Sequence, residues 1–209
     1  MSPVKIGVLI SGGGTNLQSI IDNIKNGNID GEIKLIISNR KEAYGLTRGK
    51  DAGIESIYLD RKLFNSEEEY NLELIKEFKA KNVELIVLAG YLKVLSQEFI
   101  EEFNRRIINI HPSLIPSFCG KGYYGEKVHQ EVLDYGVKIT GATVHFVDEG
   151  TDTGPIILQE IVYVNSEDTV DTLKEKVLEI EHKLLVQAVK LYCEGSLIIE
   201  GRKVIIKQR

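Results

Sequence analysis

Val4-Lys5-Ile6-Gly7-Val8-Leu9-Ile10-Ser11-Gly12-Gly13-Gly14-Thr15-Asn16 is the stretch from which the fold is read. Val4 to Ile10 is mostly apolar, as expected of a strand buried on both faces in a parallel sheet. Thr15 to Asn26 follows as a helix with Leu17, Ile20, Ile21 and Ile24 on one face. Between them lie three glycines, which let the backbone come close to a ligand. The helix N-terminus behind them offers N–H groups and the positive end of a dipole. A phosphate site is expected here. The loop is not a Walker A sequence, because it lacks the Gly-Lys-Ser/Thr ending. It is not the dinucleotide pattern either, because Leu17 stands at the third glycine's place. The structural alternative is a tight strand–helix turn capped by Ser11 or Thr15.

Strand and helix go on alternating. Ile33 to Ser38 reads as a strand, Ala43 to Ala52 as a helix stopped by Gly53, and Glu55 to Leu59 as a third strand. Ser66 opens a helix with Glu67, Glu68 and Glu69 in its first turn, where the dipole favours acids. Leu85 to Ala89 is a further strand, Ser96 to Phe103 a short helix, and Ile107 to His111 a strand. The pattern then changes. Lys127 to Tyr135 reads as a helix, and Lys138 to Val147 and Gln159 to Val164 as two strands joined by a Gly-rich acidic segment. Thr169 to Cys193 is a long amphipathic helix with a stripe of Val170, Leu173, Val177, Ile180, Leu184, Ala188 and Leu191. Ser196 to Ile199 and Val204 to Ile206 form a terminal hairpin. The expectation is one α/β domain over residues 1–209, Rossmann-like, with a mostly parallel central sheet, an antiparallel extension and flanking helices. Its halves are 1–103, with the expected phosphate loop, and 104–209, where the change of pattern falls.

A chain of 209 residues with 43% hydrophobic and 27% charged residues has the composition of a soluble globular protein. No apolar run reaches the length of a membrane span. The opening residues lead straight into a strand, so no signal peptide is expected. Cys119 and Cys193 make neither a metal-ligand spacing nor a disulfide framework, so a cytoplasmic location and no metal are expected. The net charge of −5 argues against nonspecific nucleic-acid binding.

Asn109-Ile110-His111-Pro112-Ser113 ends the fifth strand, and Gly150-Thr151-Asp152-Thr153-Gly154-Pro155 lies further on. Strand side chains alternate, so Asn109 and His111 project to the same side. Pro112 keeps His111 extended. An amide that can hold an oxyanion thus stands beside an imidazole that can move a proton, and an acid on the Gly-rich loop would complete a set for acyl transfer. The alternative is a capped turn. His129, His145 and His182 read as structural or surface residues, with His111 preferred as the base. Glu181 reads as part of a solvated helix face. The Gly90 to Leu95 segment is an apolar loop at the end of a strand, where α/β sheets bind ligands, or else a loop packed under the next helix.

Five segments resemble the 10-formyltetrahydrofolate-dependent formyltransferases, and among them the phosphoribosylglycinamide branch of purine biosynthesis. They are Val8 to Gln18, Leu88 to Leu92, Asn109 to Pro116, Thr143 to Val147 and Asp152 to Gln159. The His-Pro-Ser and Asp-x-Gly segments are shared by formyltransferases that use this folate, and Ser-Gly-Gly-Gly-Thr-Asn is more specific to the phosphoribosylglycinamide branch and a related hydrolase. The resemblance implies a one-carbon transferase using 10-formyltetrahydrofolate as cosubstrate and glycinamide ribonucleotide as acceptor. It implies Asn109, His111 and Asp152 as the catalytic trio, with protonated His111 and Asn109 binding the oxyanion. It also implies Gly14, Thr15 and Asn16 on the phosphate, Glu181 on the ribose, and Leu92, Lys93, Val94 and Leu95 with Asn109 around the folate. The chain departs from the family at two places. Glu67 stands where some members carry a basic residue beside the folate tail. Cys119 to Lys127 is longer than in some members, with Lys121 and Lys127 as further phosphate candidates. The rival readings are a formyltetrahydrofolate hydrolase and a noncatalytic nucleotide-binding module. Neither nucleic acid nor membrane is expected as a partner.

Overall fold

The computed structural model describes residues 2–207. They fall into two compact units, Met1–Ile108 and Asn109–Arg209.

The first unit holds β1 (Val4–Ile10), α1 (Thr15–Lys25), β2 (Gly31–Ser38), α2 (Tyr44–Asp51), β3 (Ser56–Tyr58), a 3-10 turn at Arg61–Leu63, α3 (Glu67–Ala80), β4 (Leu85–Leu88) and α4 (Gln97–Glu102). β1 pairs in parallel with β2 and β4, and β2 with β3. Ile6, Val8, Leu9 and Ile10 of β1 are fully buried. Their side chains alternate sides, so β1 meets solvent on neither face, as its unbroken apolar run requires. Gly7 is the one small residue in the run. A Cβ there would stand 2.5 Å from the ring of Phe78, so the glycine lets α3 lie close against the sheet. Phe78 packs edge-on against Phe99 and Phe103, and all three rings are buried. Each contributes on the order of 2–3 kcal/mol of apolar burial.

β5 (Ile107–His111) crosses the division between the units. The second unit continues with α5 (Glu126–Tyr135), β6 (Ile139–Phe146), β7 (Ile156–Tyr163), α6 (Val170–Cys193), β8 (Leu197–Glu200) and β9 (Lys203–Ile206). β6 and β7 are antiparallel, β8 and β9 form an antiparallel hairpin, and β9 runs parallel to β7. The strand order is β3-β2-β1-β4-β5-β6-β7-β9-β8, the mostly parallel sheet with antiparallel extension that the pattern implied. β7 begins at Ile156 and not at Gln159, because Ile156 pairs with His145 across a bulge and draws the end of the Gly-rich segment into the ladder.

The expected helix starts are capped as their sequences suggest. Ser66 accepts from the Glu69 N–H and Ser96 from the Phe99 N–H, and Thr169 forms a reciprocal pair with Thr172. α1 differs. Its N-cap is Gly14, in the left-handed region at φ 71°, and no side chain caps it. The structural alternative for the glycine loop, a cap by Ser11 or Thr15, is therefore not what the chain adopts.

Candidate active site

The expected trio comes together around the end of β5. The His111 Nδ1 lies 3.5 Å from the Asp152 Oδ2, with both side chains nearly buried. Asp152 also accepts from the Gly120 N–H at 2.9 Å. The long Cys119 to Lys127 segment thereby supplies a backbone donor that holds the carboxylate. Two residues of this cluster other than glycine have left-handed backbones, Phe118 at φ 49° and Asp152 at φ 59°. Such conformations cost about 1–3 kcal/mol each and are retained where surrounding contacts enforce them.

The hydrogen bonds assign the protons. The His111 Nε2 lies 2.9 Å from the Phe118 carbonyl oxygen. A carbonyl only accepts, so Nε2 carries the proton. In the neutral ring the lone pair is then on Nδ1, facing Asp152. His145 shows the reverse tautomer, since its Nδ1–H donates to the Phe146 carbonyl at 2.8 Å. In its neutral form Nε2 accepts from the Asn109 amide at 3.2 Å. The same Nε2 is 3.7 Å from the Asp152 Oδ1. His145, read from the sequence as structural or surface, therefore belongs to the cluster: its ring orients the Asn109 amide and lies beside Asp152. Thr143 shares its face of β6. The Thr143 hydroxyl donates to the Ser113 carbonyl at 2.6 Å and accepts from the Ile115 N–H at 3.1 Å, which secures the loop after His111. The two-residue period of Thr143 and His145 was visible in the sequence. What they would face was not, because that depends on β6 lying beside β5.

Burial is the largest influence on the His111 imidazole and lowers its pKa. The Asp152 carboxylate and the bond to Phe118 act the other way without overcoming it. With its pKa below the ordinary histidine value, His111 is mainly neutral at pH 7, and the Nδ1 lone pair can accept a proton. Burial pushes the Asp152 carboxyl up, but the His145 ring, the His111 ring and the Gly120 N–H together outweigh it. The carboxyl stays below its ordinary value and is ionised. A fixed negative charge beside a neutral base favours the charged form that arises when the base takes a proton.

The other expected ligand residues lie at the ends of β1 and β4. The Ser11 N–H donates to the Gly90 carbonyl at 3.1 Å, and the Ser11 hydroxyl accepts from the Leu92 N–H at 2.9 Å and donates to Asn39 at 2.7 Å. Ser11 thus ties the glycine loop to the 90–95 loop. Leu92, Lys93 and Val94 are exposed, whereas Leu95 is buried. Gly14 and Thr15 are partly exposed and Asn16 is buried. Gly14 is a glycine for internal reasons: its φ is left-handed, and a Cβ would stand 2.6 Å from the Gly45 Cα. Gly12 and Gly13 have neither constraint, since a Cβ on either meets nothing within 4 Å. Glu181 is partly buried on α6. Glu67 is paired with Arg61, with 2.8 Å between the Arg61 Nε and the Glu67 Oε1, and Lys121 and Lys127 are exposed. Among the described residues no group of three or more His, Cys, Asp or Glu is placed to hold a metal, and no helix is long and apolar enough to cross a membrane.

A β5 imidazole with an ionised partner and an adjacent amide is equipment for acyl transfer, and the comparisons agree in class. The formyl transferase family model matches residues 4–189, and the chain belongs to that family. Among its relatives is the phosphoribosylglycinamide formyltransferase of Haemophilus influenzae, 40% identical over 92% of this chain and 89% of that protein. The chloroplastic phosphoribosylglycinamide formyltransferase of Vigna unguiculata is 39% identical over 93% of this chain, which spans 62% of that relative's length. The crystal structure of glycinamide ribonucleotide transformylase 1 from Symbiobacterium toebii superposes with a TM-score of 0.94 at 42% identity, over 99% of this chain and 95% of that one.

Proposed function

We propose that this chain transfers a formyl group from 10-formyltetrahydrofolate to the amine of phosphoribosylglycinamide. The observation that carries the proposal is the neutral, buried His111 with its lone pair on Nδ1 beside an ionised Asp152. Membership of the formyl transferase family gives the group transferred.

The amine lone pair forms a bond to the formyl carbon, and the carbonyl π pair moves to oxygen. Asn109 donates to that oxyanion with one amide hydrogen while His145 accepts the other. The attacking nitrogen loses a proton to the His111 Nδ1, and Asp152 stabilises the imidazolium. The oxyanion pair then re-forms the carbonyl as the bond to the folate nitrogen breaks, that bond's pair stays on the nitrogen, and the proton is returned to it. The 12–16 loop takes the phosphate, Glu181 the ribose, and Leu92, Lys93 and Val94 border the folate. These assignments follow the family resemblance and the exposure of the residues concerned.

The test follows a labelled formyl group. With acceptor present the label is expected on its amine, and release of formate without acceptor is expected to be slow. Glu181→Ala is expected to raise the KM for the acceptor while barely changing folate binding. Formate released at equal rates with and without acceptor would replace the transferase reading with a hydrolase. No turnover of either kind would leave a binding module.

A further inference from the structure

We infer that Arg48 of α2 is a positioning residue for the acceptor's anionic group, acting through the backbone of the glycine loop. The inference rests on the proposal that this loop takes the phosphate. It goes further by naming what turns the loop's N–H groups toward that ligand.

α2 lies against the loop backbone to backbone. The Gly45 N–H donates to the Gly12 carbonyl at 3.1 Å, and the Arg48 Nε donates to the Gly13 carbonyl at 2.8 Å. The Gly14 carbonyl accepts from the Gln18 N–H inside α1. In a planar trans peptide the carbonyl and the following N–H point in opposite directions. A Gly12 carbonyl turned into α2 therefore turns the Gly13 N–H away from it, and a Gly13 carbonyl held by Arg48 turns the Gly14 N–H the same way. An anion requires this orientation, since carbonyls facing it would repel it. Arg48 is itself fixed on two further sides. Its Nη1 donates to the Gln18 side chain at 3.2 Å, and its guanidinium lies over the Tyr44 ring at 5.0 Å.

The glycines of the loop mark its outer side as ligand space. Gly12 and Gly13 have no positive φ and no neighbour that a Cβ would strike, so nothing within the chain requires glycine there. α1 has no side-chain cap, a property it shares with α2 and α5, so no cap side chain stands between its first turn and the outer side of the loop. The contact with α2 explains the other glycines, since a Cβ on Gly45 would lie 2.5 Å from Ile10 and 3.3 Å from Gly14.

The experiment compares Arg48→Met, Arg48→Lys and Gly13→Ala, using phosphoribosylglycinamide and its dephosphorylated riboside as acceptors. Arg48→Met is expected to raise the KM for the phosphorylated acceptor about tenfold, the effect of losing a charged donor. Folate affinity and the weak use of the riboside should stay within twofold. Arg48→Lys keeps the charge and one donor but not the planar fork, and should lie between Met and wild type. Gly13→Ala projects only into the ligand side and should also raise the KM for the phosphorylated acceptor. An effect of Gly13→Ala with none of Arg48→Met overturns the inference and leaves the phosphate loop standing. No effect of either variant overturns the phosphate loop itself. Equal losses with both acceptors would reduce Arg48 to a scaffold residue and overturn the inference. If Arg48→Met does not fold, Arg48→Lys decides by the same comparison, and an unchanged KM ratio of the two acceptors counts against positioning.

Discussion

Asp152→Asn isolates the charge in the cluster from its shape. Asparagine, like aspartate, tolerates the left-handed backbone at φ 59°, so the substitution adds no strain that alanine would add. The Oδ2 it replaces meets both the Gly120 N–H and the His111 Nδ1, so the amide presents either oxygen to Gly120 or nitrogen to His111, not both. In the free protein His111 is neutral, so no ion pair with Asp152 exists to be lost. The charge matters once His111 has taken a proton. At 3.5 Å and an effective dielectric constant of about 20, carboxylate and imidazolium attract by roughly 4–5 kcal/mol. Water reaching the carboxylate, which is 11% exposed, reduces this to about 4 kcal/mol, or roughly three tenfold steps in rate. There is also a tautomer effect in the same direction. With its nitrogen at the Oδ2 place, the amide would give up the Gly120 bond, donate to the His111 Nδ1 and occupy the lone pair the reaction uses. The expected result is kcat lower by about 10³, with both substrates bound near normally, because the interaction arises only in the transition state. Asp152 raises the His111 pKa, so its loss should move the acid limb of the kcat/KM profile to lower pH. Steady-state rates from pH 5 to 9, with circular dichroism to verify folding, measure both. A folded Asp152→Asn protein within tenfold of wild type, with an unmoved acid limb, would refute the assigned proton positions.

Burial holds the His129 pKa down to about 4 in the fold, with Lys174 adding to the effect and Glu126 opposing it. Unfolded, the ring titrates near 6.5, so below that pH the unfolded state binds more protons. Stability should therefore fall from about pH 6.5 to about pH 4, by on the order of 3 kcal/mol. His111 and His182 act in the same direction, and Asp152 only below its ordinary carboxylate value. Urea midpoints between pH 4 and 7 should show the slope, and His129→Gln should flatten it; an unchanged slope would exclude His129 as its source. Gly154→Ala would place a Cβ 1.8 Å from the Phe146 carbonyl oxygen and 3.3 Å from the Asp148 N–H nitrogen. A loss of about 3 kcal/mol or more is expected, because the obstacle is backbone. A melting temperature within two or three degrees of wild type, roughly a 1 kcal/mol change, would contradict the close approach of these segments.

Periodicity and local chemistry determined much of this protein. The apolar run of β1 implied burial on both faces, the capping residues marked three helix starts, and Pro112 placed His111 at a strand end beside Asn109. The matching segments identified the family before any contact was known. Tertiary structure decided what depends on neighbours distant in sequence. His145 joined the cluster because β6 lies beside β5. His111 became a neutral base because desolvation outweighed the carboxylate beside it. Its proton went to Nε2 because the Phe118 carbonyl, on a strained loop, came within reach. Arg48 acquired a role because α2 packs on the glycine loop, bringing together residues 35 positions apart. A sequence records each residue's own preferences, whereas protonation, tautomer and hydrogen-bond direction depend on what the folded chain places around it.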